Sequence, residues 1–186
     1  MFLIFTMILT ACAPKPSILE ITDRDLQHFD EILTRQGEIV RFFPSYDKTF
    51  LAVTVKEQIG NLRGAVLFIH GIAARSQLYL PLADELNNSG FAVYLLDLRG
   101  HGFSRGEPGT VPDRNAISKD VEYFTEFVKT QIKEDVPFYG MGHSLGTFIW
   151  VNTLAQSSEI KLDGLVLISG GIYPEQADDL PKENKN

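Results

Sequence analysis

From Gly64 onward the chain alternates short unbroken apolar runs with longer stretches of helical spacing. Ala65–Ile69, Phe91–Leu96, Val136–Met141 and Leu162–Ile168 are the apolar runs. Gln77–Asn88, Ala116–Lys133 and Ser144–Gln156 are the stretches between them. Strands without polar alternation are buried on both faces, and helices joining them make the strands parallel. The pattern therefore predicts an α/β domain with a mostly parallel sheet and helices on both faces. Ahead of it, Glu38–Phe43 and Phe50–Val55 are β-rich and flank Pro44-Ser45-Tyr46-Asp47-Lys48, a hairpin signature. Leu26, Phe29, Ile32 and Leu33 give Ser17–Gln36 a partly helical spacing, which predicts a short helix before the core. Ser89-Gly90 closes the helix expected at Gln77–Asn88.

In a sheet of this kind, functional loops gather at the carboxyl ends of the strands. Three candidate motifs fall there. Gly142-His143-Ser144-Leu145-Gly146 has the form G-x-S-x-G between an expected strand and an expected helix. That context lifts a serine hydroxyl above the sheet as a nucleophile, on a turn tight enough to need Gly142 and Gly146. The alternative is a glycine-flanked turn whose serine caps a helix. His70-Gly71-Ile72 follows the first buried run. A hydrolase needs backbone N–H donors for the oxyanion of its tetrahedral intermediate; Leu145, after the nucleophile, and Ile72 are the candidates. His70 and Gly71 would then support the loop. Asp97-Leu98-Arg99-Gly100-His101-Gly102-Phe103-Ser104 ends the second run. Asp97 and Arg99 could pair to brace it, or Asp97 and His101 could act as acid and base.

A serine nucleophile needs a histidine base oriented by a carboxylate, and in folds with this elbow both follow the serine in the chain. The four histidines are His28, His70, His101 and His143, all before Ser144. Glu175 or Asp178 could supply an acid, but would have no later histidine to orient.

Composition narrows the partners. Among 186 residues, 17 Lys and Arg against 24 Asp and Glu give a formal charge of −7, with no basic cluster, which argues against a nucleic-acid partner. The single cysteine, Cys12, excludes an internal disulfide, and no Cys/His spacing suggests a metal; no cofactor is implied. Met1–Ala11 is almost wholly apolar, and Leu9-Thr10-Ala11-Cys12 resembles a bacterial lipoprotein signal, with lipid carried on Cys12. The run is too short for a transmembrane helix and lacks a basic start, Lys15 being the first cation. The expectation is an envelope lipoprotein tethered to the membrane through Cys12 and Ala13-Pro14-Lys15-Pro16-Ser17. The alternative is a buried N-terminal strand with an ordinary core cysteine.

The segment HGIAARSQLYLPLADELNNSGFAVYLLDLRGHGFSRG, followed by GMGHSLG, resembles α/β-hydrolases of the monoacylglycerol lipase and serine aminopeptidase-like branch, over about residues 38–173. The resemblance implies an α/β-hydrolase fold, with Ser144 as nucleophile and the Ile72 and Leu145 amides as oxyanion hole. It implies carboxylic, lipid-like esters cleaved through an acyl-serine intermediate. Ala74-Arg75 departs from the Glu-His common in that branch. Leu165–Ile168 with Ser169-Gly170-Gly171 resembles the sixth strand, beyond which the family continues with a lid, two strands, the acid and the histidine. Here Glu175–Asn186 is charged and without hydrophobic periodicity. The expected organisation is therefore a signal at 1–11, a tether and helix at 12–37, a partial hydrolase domain at 38–173 ending after about the sixth strand, and a polar tail at 174–186. Such a domain would expose its last strand as an edge and leave apolar helix faces open. Three functions are compatible: an impaired serine hydrolase, an inactive lipoprotein that binds a ligand, or one part of a hydrolase completed by a second chain.

Overall fold

The computed structural model describes residues 39–170, save 59 and 133–134. Cys12, His28, the helix expected at Ser17–Gln36, Glu175 and Asp178 lie outside the described residues.

Six strands form one sheet: β1 Ile39–Pro44, β2 Phe50–Lys56, β3 Gly64–Ile69, β4 Phe91–Leu96, β5 Phe138–His143 and β6 Gly164–Ile168, in spatial order β1-β2-β4-β3-β5-β6. β1 and β2 form the expected antiparallel hairpin, and β2 runs antiparallel to β4. β3 pairs in parallel with β4 and β5, and β5 with β6. Helices α1 (Leu80–Asn88), α2 (Ala116–Gln131) and α3 (Leu145–Gln156) make the crossovers.

Alternation along the strands sends side chains to two cores. Leu67, Ile69, Tyr94 and Leu96 pack beneath Val121 and Phe124 of α2 and Ile149 and Trp150 of α3. Val66, Phe68, Val93 and Leu95 meet Ala83, Leu82 and Leu86 of α1 on the other face. Each large side chain so buried contributes about 2 kcal/mol, which anchors the strand ends that carry the loops. Trp150 is fully buried yet satisfied, its indole N–H donating to Met141 O at 3.1 Å. The hairpin is tied to α2 by the stacked rings of Phe43 and Phe127, 4.9 Å apart.

Several boundaries differ from the sequence expectation, among them the following. The helix expected from Gln77 opens as a 3₁₀ turn, Ser76–Tyr79, and becomes α-helical only at Leu80, because Pro81 has no N–H to continue an α-helical ladder from the turn. α2 stops at Gln131 rather than Lys133: Ile132 turns extended (φ −106°, ψ 124°) and packs against the core. β5 runs to His143 rather than stopping at Met141, since Ile168 of β6 continues the pairing opposite His143.

β6 is the edge strand of the described sheet, and its Val166 and Leu167 are exposed. Phe148 and Val151, one turn apart on α3, are exposed as well. No described helix is long and apolar enough to cross a membrane.

Candidate active site

The chain leaves β5 at His143 and enters α3 at Leu145, so one residue must make the whole reversal. Ser144 does so at φ 51° and ψ −114°, outside the helix that the sequence pattern begins at this residue. A positive φ in a non-glycine residue is strained, and is held here by its surroundings. The Ser144 N–H donates to Ile168 O at 2.9 Å, fastening the turn to the end of β6. The Ser144 hydroxyl makes no hydrogen bond among the described residues, and the side chain is half-buried.

The flanking glycines are dictated by backbone proximity. A Cβ on Gly146 would lie 2.1 Å from Ile69 O, and one on Gly142 would lie 2.5 Å from the Gly146 carbonyl. Both are far inside contact distance, and the obstructing atoms are backbone that cannot swing aside. The elbow can therefore sit directly on the end of β3 only as G-x-S-x-G.

That closeness brings the loop after β3 to the serine. A Cβ on Gly71 would be 3.2 Å from Ser144 Cβ and 3.1 Å from His143 Nδ1. Ile72, next along, is 75% exposed, and its N–H donates to no acceptor among the described residues. Leu145 is the first residue of α3, where backbone N–H groups lack intrahelical partners. The two amides expected to bind an oxyanion thus border the same serine, on elements in contact with one another.

His70 is fully buried behind this loop. Its Nε2 accepts the Leu98 N–H at 3.0 Å, so Nδ1 carries the proton and donates to Gly71 O at 2.7 Å. Burial, the dominant influence, pushes its pKa below the usual imidazole range, and the neutral ring is the one both bonds require. His70 ties the loop after β3 to the loop after β4.

The loop after β4 is built differently from the sequence expectation. Asp97 does not pair with Arg99. Its Oδ1 accepts the Ser76 N–H at 2.6 Å and its Oδ2 the Phe103 N–H at 2.9 Å, so the carboxylate fixes two backbone segments. Arg99 turns instead to Asp120, with Nε to Oδ2 at 2.9 Å and Nη2 to Oδ1 at 2.7 Å, and to Asp47, with Nη1 to Oδ2 at 2.7 Å. Neighbours two apart along this loop leave it in different directions, whereas Asp47 and Asp120 approach from the hairpin and α2. His101 donates from Nδ1 to Arg99 O at 3.0 Å. With Asp97 committed to backbone amides and His101 to that carbonyl, the acid–base pairing of Asp97 with His101 is not formed.

Sequence reasoning missed Tyr79. Its hydroxyl lies 2.8 Å from His143 Nδ1 and accepts the Gly71 N–H at 3.4 Å. Nothing in Ser76-Gln77-Leu78-Tyr79 marks it locally, since the bond to His143 spans 64 positions. Among the described residues, no group of three or more His, Cys, Asp or Glu side chains could share a metal ion.

Comparison with known proteins places this geometry. The family model described as serine aminopeptidase, S33, matches residues 60–185. The monoglyceride lipase of Saccharomyces cerevisiae is 32% identical over 104 residues, covering 55% of this chain and 33% of that protein. The monoglyceride lipase of Mus musculus is 32% identical over 123 residues, covering 65% and 40%. The chain thus spans a third to two fifths of the length of these relatives. Among solved structures, a soluble variant of the S. cerevisiae monoglyceride lipase in complex with a substrate analog superposes with a TM-score of 0.65 at 24% identity, over 73% of this chain and 45% of that one. A thermostable carboxyl esterase from Bacillus coagulans in complex with glycerol gives 0.61 at 25% identity, over 70% and 43%. The six-stranded, mostly parallel sheet with its elbow serine is an α/β-hydrolase fold, and the chain belongs to the serine aminopeptidase S33 family, in the branch that resembles monoglyceride lipases.

Proposed function

We propose that this chain carries the nucleophile and oxyanion hole of a serine hydrolase acting on carboxylic, lipid-like esters. Ser144 Oγ attacks the ester carbonyl, and the Ile72 and Leu145 amides take the developing oxyanion. Collapse of the tetrahedral intermediate expels the alcohol and leaves acyl-Ser144, which water then hydrolyses. The observation that carries this reading is the strained Ser144 (φ 51°) with the loop after β3 so near that a Cβ on Gly71 would lie 3.2 Å from Ser144 Cβ. His70 and Gly71 hold the loop, and Gly142 and Gly146 let the elbow approach β3.

The general base is assigned to polypeptide outside the described residues. His70 and His101 are each engaged by backbone, and His143 by Tyr79. Without a base, acyl transfer would run about a thousandfold or more below a complete triad, leaving what oxyanion hole and binding supply. The same engagement favours a second reading, a ligand-binding protein that does not turn over. Hydrolysis of a short-chain nitrophenyl ester, lost in Ser144→Ala, supports the first. Saturable ester binding without release of nitrophenol supports the second.

The lipid tether at Cys12 and location in a bacterial envelope belong to the same proposal, supported by the apolar Met1–Ala11 run before Cys12. Palmitate incorporation that vanishes in Cys12→Ser supports it, and incorporation that survives refutes it.

A further inference from the structure

Tyr79 joins the two sides of the proposed oxyanion hole through its side chain. It ends the 3₁₀ turn Ser76–Tyr79, and its ring packs on Phe68 with centroids 4.5 Å apart, so the phenol axis is fixed by the core. The hydroxyl then projects between Gly71, which precedes Ile72, and His143, which precedes Ser144 and Leu145.

Proton counting fixes the first link of the bridge. The Gly71 N–H can only donate, so it takes a lone pair of Tyr79 Oη. With the phenolic proton donated across the 2.8 Å to His143 Nδ1, that nitrogen is the acceptor and the ring proton sits on Nε2. The chain Gly71 N–H to Tyr79 O–H to His143 Nδ1 is polarised in one direction, which strengthens the stronger link. Gly71 runs close enough to Ser144 that a Cβ on it would lie 3.2 Å from Ser144 Cβ, and closeness alone fixes how near the loop comes, not its lateral position. Oxyanion stabilisation requires two donors within hydrogen-bond distance of one atom, so an error of about 1 Å between Ile72 and Leu145 is costly.

We propose that Tyr79 is a positioning residue that sets the spacing of the Ile72 and Leu145 amides by tying Gly71 to His143. The inference rests on the reading of Ser144 given above. Tyr79 acts through the two loops. His143, the unspecified second position of the elbow motif, acquires a function as the anchor of that tie.

The test is Tyr79→Phe, which keeps the ring on Phe68 and removes only the hydroxyl. Acylation of Ser144 by p-nitrophenyl acetate is followed across ester concentrations, alongside thermal melting and ¹⁵N spectra of the His143 imidazole. The expected result is a maximal acylation rate lowered about tenfold, with half-saturation and melting temperature unchanged. The His143 Nδ1 resonance should shift as it loses its donor. An unchanged rate in Tyr79→Phe overturns the inference, as does a rate loss matched by an equal loss of stability. A wild-type spectrum with the proton on Nδ1 overturns it independently of any activity. Absence of acylation in the unmodified protein overturns the reading of Ser144, and with it the role of Tyr79. That result differs from failure of the inference alone, in which both proteins acylate equally.

Discussion

His70 Nε2 accepts the Leu98 N–H at 3.0 Å from inside a fully buried site, so one imidazole ring links the loop beside the serine to the loop after β4. Replacing His70 with Ala removes a buried ring and leaves the Leu98 N–H without its acceptor. The expected cost is about 3 kcal/mol, read as a lower midpoint in urea unfolding. The ring is also a source of acid lability. Because burial lowers its pKa in the folded state, its stabilising contribution is complete above the ordinary imidazole value of about 6.5 and is lost as pH falls below it. Urea midpoints should decline between pH 7 and pH 5 in the wild type, and less steeply in His70→Ala.

A second acid-sensitive element lies in the Arg99 cluster. Burial opposes ionisation of Asp47, but hydrogen bonds from Arg99 and Thr49 outweigh it and hold the carboxyl at about 2. Its contribution is present above the usual carboxylate range near pH 4 and is lost as pH falls toward 2. Arg99 is itself held more firmly protonated by its hydrogen bonds to Asp120. Arg99→Ala should cost about 4 kcal/mol at pH 7, because Asp120 is left buried without its partner, and should flatten the acid limb below pH 4. Chemical denaturation from pH 2 to pH 7 measures both effects.

Gly146→Ala tests the contact between elbow and sheet. Its methyl group would have to displace Ile69 O, 2.1 Å away, or His70 O, 3.0 Å away. The Ile69 carbonyl cannot move without disturbing the end of β3. The variant is expected to lose more than about 3 kcal/mol and to accumulate in the insoluble fraction. A soluble variant with an unchanged melting curve would contradict the described packing.

The parts of this fold legible in the sequence are those whose signal is local. Ala65–Ile69 and Phe91–Leu96 announce themselves because a strand buried on both faces has no polar position. The elbow is visible because only glycine fits where Gly142 and Gly146 meet backbone. Partner choice is not local. Asp97 stands two residues from Arg99, yet the guanidinium finds Asp47 and Asp120 from 52 and 21 positions away. Tyr79 could not be singled out for the same reason. Element ends shifted where a single residue overrode the pattern: Pro81 delayed α1, Ile132 left α2 to reach the core, and the positive φ of Ser144 kept it out of α3.

The central claim is that Ser144 is the nucleophile of an ester-cleaving site, and covalent labelling tests it most directly. The protein is incubated with a fluorophosphonate, digested, and the modified peptide identified by mass spectrometry. The account predicts a single adduct on Ser144, absent from Ser144→Ala. No adduct on Ser144, or labelling of equal extent in Ser144→Ala, would contradict it.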